Sequence, residues 1–110
     1  MKTQQPILTT SILAAEDLPE QTFVGFDGKV CKAGEKALGV VNADTAADNM
    51  APADVLGVIL VTAGAAITAG SEVESDDNGQ AITKTTGAGN GIAWDEATAA
   101  GDVIRIVRGI

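Results

Sequence analysis

The sequence is short of the side chains on which most enzyme active sites are built. It has no histidine and a single cysteine, Cys31, among 110 residues. Without histidine there is no Ser-His-Asp triad, no Cys-His pair and no imidazole metal ligand. One cysteine can form neither an intrachain disulfide nor a thiolate zinc cluster. We therefore expect a protein that is not an enzyme and has no cofactor or metal, with Cys31 buried as a small apolar side chain.

Aromatic rings and positive charges are also scarce. The chain has one tryptophan, two phenylalanines and no tyrosine, and 7 Lys+Arg stand against 15 Asp+Glu, for a net charge of −8. Nucleic-acid binding needs cationic stripes and rings on which bases stack. The composition therefore predicts no nucleic-acid partner.

Long apolar runs are missing as well. The longest, Val55 to Val61, is seven residues, whereas a membrane helix needs about 20. The start, Met1 to Pro6, lacks the apolar stretch of a signal peptide. We expect no membrane association, and synthesis in the cytoplasm without export.

What the chain does have is a series of short β-prone runs separated by glycine turns. The hydrophobic fraction is 45%, which is typical of a globular protein. Asp27-Gly28 and Asp77-Asn78-Gly79 are hairpin signals between such runs. The β-prone run Val55 to Thr62 is continuously apolar as far as Val61, as in a strand covered on both faces. The pattern predicts a mainly β fold, a small β-barrel or β-sandwich with Gly-rich turns.

Helical signals are weak, and the chain divides only at its start. Residues 43–53, ended by Pro52, and residues 95–101 each predict at most one short helical turn.

Residues 1–20 are expected to form an extended N-terminal arm or a first strand, and residues 21–110 a single β domain.

Two motifs resemble ligand sites but are incomplete. The segment Glu74 to Gly79 imitates the first half of an EF-hand loop, but Thr85 stands where the bidentate glutamate is needed. Gly87 to Gly91 has neither the third glycine of a dinucleotide fingerprint nor a Gly-Lys-Ser/Thr sequence. We interpret the first as a solvated hairpin tip and the second as a loop.

The remaining candidates are residues that could bind another protein. Trp94 is either a core residue or an interface anchor, because tryptophan is enriched at binding hot spots. The β-prone run Ile7 to Leu13 is either the first strand of the domain or an arm that adds a strand to a neighbour's sheet edge. The candidate contacts with a partner protein or another subunit are Pro6, Ile7, Leu8, Ile12, Leu13 and Trp94.

Several short segments follow one another in a specific order: the start Gln4-Gln5-Pro6-Ile7-Leu8, the strand-like Ala37 to Val41, the central Leu56 to Gly64 with Ile67 to Val73, the turn Asp77 to Ala81, and the closing Gly91-Ile92-Ala93 and Ala99 to Ile106. In this order, over residues 4–110, they resemble the head-decoration (capsid cement) proteins of tailed bacteriophages.

This resemblance implies a structural function. Copies would bind the outside of the mature phage head, bridge neighbouring major capsid proteins and stabilise the shell, so that the protein is made in the host cytoplasm and ends in the virion. The partners implied are the major capsid protein and further copies of the chain, as a homotrimer or a dimer. The alternative is another β-rich virion module, such as a tail or baseplate adaptor.

Overall fold

The computed structural model describes residues 3–109, in which eight strands and no helix are found. The mainly β prediction is therefore confirmed. The strands are β1 (Gln5–Leu13), β2 (Phe23–Val24), β3 (Gly39–Val41), β4 (Met50–Thr62), β5 (Glu72–Ser75), β6 (Ala81–Thr83), β7 (Gly91–Ala93) and β8 (Val103–Arg108).

The long strand β4 organises the sheet. All named pairings are antiparallel, in the order β2-β3-β4-β8-β7-β5-β6, with β1 also paired to β4. β1 and β3 both pair with Asp54, and β1 and β8 both pair with Val58. Because a strand residue has one neighbour on each side, β1 lies on the edge of β4 opposite to β3 and β8.

The barrel and sandwich predictions are wrong, because all eight strands belong to one sheet that does not close. The terminal strands β2 and β6 have two and three residues and do not pair with each other. The ends approach only through single contacts, such as the Phe23 N–H donating to the Gly79 carbonyl at 2.7 Å. The sheet instead curves around a main core that Phe23 and Val40 share with Ile59 and Ile106.

The predicted helical turns are also wrong. In residues 43–53, backbone donors and acceptors are taken by distant partners: Leu18 bridges to Thr45, and the Asp17 carboxylate accepts from the Ala47 N–H at 2.9 Å. In residues 95–101, the Asp102 carboxylate accepts from the Thr98 N–H at 2.8 Å. Side-chain oxygens thus satisfy N–H groups that a helix would need. Pro52 ends no helix but lies within β4.

The N-terminal arm is replaced by strand β1. Residues 5–13 pair with residues 50–58 of β4, with irregularities on either side of Leu8. Gly57, at φ +113°, allows this close approach, since a Cβ there would lie 2.6 Å from the Gln5 carbonyl oxygen. Residues 5–13, which were expected to form part of an arm, are therefore paired with the central strand β4.

Other predicted features are confirmed. Asp77 to Gly79 lie in the turn that joins β5 to β6. In this hairpin Val73 pairs with Thr83 and Ser75 pairs with Ala81. Cys31 is buried in the main core, where burial raises the pKa of its thiol.

The glycine-rich loop before β7 is fixed by two buried polar side chains. Asn90 accepts from the Ala37 N–H at 2.9 Å and donates to the Glu35 carbonyl at 3.1 Å. The Glu74 carboxylate accepts from the backbone N–H of Thr85 at 2.5 Å and from its hydroxyl at 3.0 Å. The backbone bond from Thr85 is the main reason that the pKa of Glu74 lies below its ordinary 4.5.

Acid should therefore loosen this loop. A carboxylate whose pKa is lowered by folding stabilises the folded state above pH 4.5, and this contribution is lost as the pH falls through the lowered value. We expect Glu74→Gln to lose stability at pH 7 and to show a weaker loss on acidification than the wild type, measured by urea unfolding from pH 7 to pH 3. The exposed Glu20→Gln is the control; equal pH profiles for Glu74→Gln and wild type would contradict the expectation.

Candidate docking surfaces

The N-terminal candidate residues all lie on β1, and most are exposed. Ile7 is 82% exposed, Leu13 is 56% exposed and Leu8 is 46% exposed, while Pro6 is also exposed. Ile12 is half-buried against the smaller core that contains Ala14 and Leu18. The structure thus presents four of these five side chains to solvent.

We call β1 together with its partner half of β4, Met50 to Val58, the β1 ribbon. No residue of β1 is ionisable, and the partner half of β4 has only Asp54, which is fully buried. Met50, opposite Leu13, adds another exposed apolar side chain. In a chain of net charge −8, this ribbon is an uncharged, partly apolar surface. No described strand pairs with the outer edge of β1, and such an edge is a template for another chain.

The buried Asp54 carboxylate stabilises the β1 ribbon. Its Oδ1 accepts from the Thr9 hydroxyl at 2.7 Å and from the Asn42 amide at 3.1 Å. Within residues 3–109 its Oδ2 has no hydrogen-bond partner. A single carboxylate oxygen thus links β1 to the residue that follows β3.

Trp94 is half-exposed, so the interpretation of this residue as core is wrong. The Arg105 guanidinium lies 4.3 Å from the centre of the indole ring, a cation–π contact. The same guanidinium donates to both Asp95 oxygens, at 2.9 and 2.8 Å. Trp94 therefore lies at the surface in contact with the Arg105 guanidinium, which is in turn bound by the Asp95 carboxylate.

Trp94 belongs to a larger apolar surface, which we call the β7–β8 face. Register places Val58, Val107 and Ile92 side by side on β4, β8 and β7, and it places Leu60 beside Arg105. Val107 and Ile92 are about half exposed. The face is made of Val58, Leu60, Ile92, Trp94, Arg105 and Val107.

A groove of about 550 Å³ adjoins this face. Ile92, Val107 and Arg108 line it together with Gly89 and Gly91. The Glu72 side chain occupies the space in which a Cβ on Gly89 would lie. Lys36 and Glu72 also line it, and the Lys36 ammonium donates to the Gly89 carbonyl at 2.6 Å.

Sequence reasoning identified Trp94 but missed its neighbours. The alternation in Val103 to Arg108 separates Val107 and Arg105 from the buried Ile104 and Ile106. That alternation could have assigned Val107 to an outer surface. Only pairing between β7 and β8 brings Ile92 beside it.

The described residues contain no candidate metal cluster and no helix that could span a membrane. Residues 3–109 contain no group of three or more His, Cys, Asp or Glu side chains arranged to hold a metal. They also contain no helix with the length and apolarity needed to cross a membrane. In the hairpin between β5 and β6, Asp76 accepts from the Asn78 and Gln80 N–H groups at 2.8 and 2.9 Å, so this carboxylate orders a turn.

Comparisons with known proteins identify a family and a similar fold. Residues 1–108 match the family described as phage cement protein. The solved head fiber gp8.5 N base of bacteriophage phi29 has a similar fold, with a TM-score of 0.73, 18% sequence identity and 93% coverage of each chain. No curated protein matches the sequence.

Proposed function

Because the chain belongs to the phage cement protein family, a family of phage head-associated structural proteins, we propose that it binds the outer surface of the mature phage head and stabilises the shell by bridging neighbouring major capsid proteins. The observation that carries the proposal is the family match over residues 1–108. The protein is then made in the host cytoplasm and incorporated into the virion.

The β1 ribbon is the surface that we propose for attachment to the shell. Its edge strand is nine residues long and offers unpaired backbone groups, to which a strand of a capsid subunit can add. Pro6, Ile7, Leu8 and Leu13 surround that edge, while Ile12 anchors β1 to the smaller core. The absence of charge on β1 lowers the desolvation cost of such a contact.

Shell stabilisation does not require a tight single site. Many copies bound to one lattice act together, because each attached copy raises the effective concentration of the next contact. Bridging therefore needs shape, strand edges and apolar area rather than reactive groups. The net charge of −8 also disfavours binding to free DNA, which carries the same sign.

The proposal predicts that the protein raises the thermal stability of undecorated, expanded phage heads. A ligand that binds the assembled shell and not its released subunits shifts the melting equilibrium by mass action. We expect a rise in the shell melting temperature that saturates with added protein, measured by scanning calorimetry or dye release. An unchanged melting temperature at saturating protein would contradict the cement function and favour the alternative of a tail or baseplate adaptor.

A further inference from the structure

We propose that the β7–β8 face binds a β-sheet surface of a shell subunit that exposes aliphatic side chains. The proposal rests on the proposed function, which supplies the shell as the partner, and it adds a second contact surface to the β1 ribbon. The fold contains one strand arrangement twice, and the counterpart of the β7–β8 face in the first arrangement is covered by the second.

The two arrangements share the long strand β4. In the first repeat, residues 5–56, β1 pairs with β4, β4 pairs with β3, and β3 pairs with β2. In the second repeat, residues 54–108, β4 pairs with β8, β8 pairs with β7, and β7 pairs with β5. The strand β4 therefore ends the first repeat and begins the second.

The correspondence extends to single residues. Leu18 and Thr45, in the loops after β1 and β3, exchange two backbone hydrogen bonds of 2.8 and 3.0 Å. Ile67 and Ala97, in the loops after β4 and β7, exchange two of 2.9 Å. The strand registers also coincide, with the equivalent pairs Leu13–Met50 and Thr62–Val103, Thr10–Ala53 and Ile59–Ile106, and Val40–Asp54 and Ile92–Val107.

Each repeat has an inner core at equivalent positions. The smaller core of the first repeat contains Ala14, Leu18, Val24, Val41, Ala51 and Ala53, and the equivalent residues Ala63, Ile67, Val73, Ala93, Ile104 and Ile106 all belong to the main core. The main core also contains Phe23 and Val40 of the first repeat. These two alternate with Val24 and Val41, so they lie on the outer face of the first repeat, away from its own core. The second repeat therefore covers the outer face of the first.

The outer face of the second repeat is the β7–β8 face, and it is open. Ile92 is 50% exposed, whereas its counterpart Val40 is buried. Val107 is 45% exposed, whereas its counterpart Asp54 is fully buried. In proteins built from stacked repeats, the outer face of a terminal repeat is polar, because nothing covers it.

The polarity of the two outer faces is the reverse of this rule. The first repeat carries Thr9, Asn42 and Asp54 where the second carries Val58, Trp94 and Val107. One position changes the other way: Glu72 is the counterpart of Phe23, so it limits the apolar area on the side of the groove. An open face with more apolar residues than its covered counterpart indicates a surface that another protein covers.

Trp94 is suited to anchor such a contact. The Arg105 guanidinium, 4.3 Å from the ring centre, orders the indole, and a side chain that is already ordered loses little conformational entropy on binding. Arg105 is itself paired with Asp95 at 2.8 Å. The ring is half-exposed, so it has apolar area left to bury.

The cover of the first repeat indicates the chemistry of the partner. Val40 lies in the main core with Ile59, Ile104 and Ile106 of β4 and β8, so the surface that covers it is a sheet face of aliphatic side chains. Among residues 3–109, a second copy has no such face to offer, because these three isoleucines and the residues of the smaller core are already buried within each copy. The partner is therefore a different protein, which under the proposed function is a shell subunit.

Cross-linking on undecorated, expanded heads identifies the protein that covers the face. The one natural cysteine, Cys31, is buried, so a maleimide photo-cross-linker attaches to the exposed thiol of a Val107→Cys variant. We expect a product that joins one copy of the chain to one major capsid protein. Thr83→Cys, at an exposed position of β6, is the matched control and should give no such product.

A lysine at the centre of the face tests the same contact by affinity. Ile92→Lys places a charge where binding would remove water from it, so we expect binding to heads to weaken at least tenfold in co-sedimentation. Thr83→Lys makes the same charge change on an exposed strand residue and should bind like the wild type. Circular dichroism checks that both variants keep their strands; if Ile92→Lys unfolds, the cross-link decides.

Three results would overturn the inference: a Val107→Cys product that joins two copies of the chain, no product above the Thr83→Cys level on decorated heads, or equal binding of folded Ile92→Lys and wild type. In each case, saturable binding of the wild type would leave the proposed function standing. If the wild type does not bind heads at all, the proposed function itself is wrong, and the inference falls with it.

Discussion

Replacing Arg108 by methionine is expected to lower the free energy of unfolding by about 3–5 kcal/mol. Arg108 is fully buried, and burial lowers the pKa of its guanidinium to about 10. It donates to the carbonyls of Val55 at 2.8 Å, Asn90 at 3.2 Å and Leu38 at 3.1 Å, and also to the Ala37 carbonyl. One side chain thus joins β8 to β4 and to the segments that precede β3 and β7.

Methionine preserves much of the apolar stem but supplies no donor. The buried carbonyls would lose their partners, at about 1–3 kcal/mol for each group left unsatisfied. Arg108→Lys should be intermediate, because an ammonium cannot reproduce the planar fork of a guanidinium.

Urea unfolding monitored by circular dichroism measures the effect. Arg105→Met is the matched control: the Arg105 side chain is 26% exposed, so water can reach the groups that it leaves, and a smaller loss of stability than for Arg108→Met is expected. A loss below about 1 kcal/mol for Arg108→Met would mean that this guanidinium does not hold the sheet together.

The double substitution Ile7→Lys/Leu8→Lys is expected to weaken binding to expanded heads at least a hundredfold. Both side chains are exposed on the β1 ribbon, so the stability of the isolated protein should change by about 1 kcal/mol or less. At the shell the new charges would lie against a contact that we propose to be uncharged, where unpaired charge is costly. Lysine on an edge strand also opposes the addition of another strand.

Binding is measured by co-sedimentation with heads. The control variant has the same change in net charge, but at positions outside the β1 ribbon. Phe26→Lys/Asn78→Lys places two lysines at exposed turn positions away from β1 and should bind like the wild type. Equal loss in both double variants would show that overall charge, and not the β1 ribbon, governs attachment.

Local chemistry made much of the sheet predictable. β-branched runs such as Val103 to Val107 and turns such as Asp77-Asn78-Gly79 have strong strand and hairpin preferences, and they form β8 and the β5–β6 hairpin. Closure was not predictable, because it depends on whether β2 and β6, which are far apart in sequence, pair with each other. The expected helical turns failed for a similar reason: the acceptors that replaced helical bonds, such as Asp17 for the Ala47 N–H, lie far away in sequence.

The candidate surfaces were predictable only in part. The β-prone, uncharged run Ile7 to Leu13 stood out in the sequence, and in the structure it is exposed except for the half-buried Ile12. Trp94 stood out as the only tryptophan, but composition favours burial for such a residue, and only the contact with Arg105 explains its place at the surface. Arg108 shares its strand face with Ile104 and Ile106. That alternation predicts an inward side chain, but nothing in the sequence around Arg108 indicates the four carbonyls that accept its hydrogen bonds.

The most direct test of the cement function is co-sedimentation of the wild-type protein with undecorated, expanded heads of its own phage. The proposed bridging predicts saturable binding at a fixed ratio to the major capsid protein, because attachment sites on a lattice are defined in number. Absence of binding to expanded heads, or binding that rises without saturation, would contradict it.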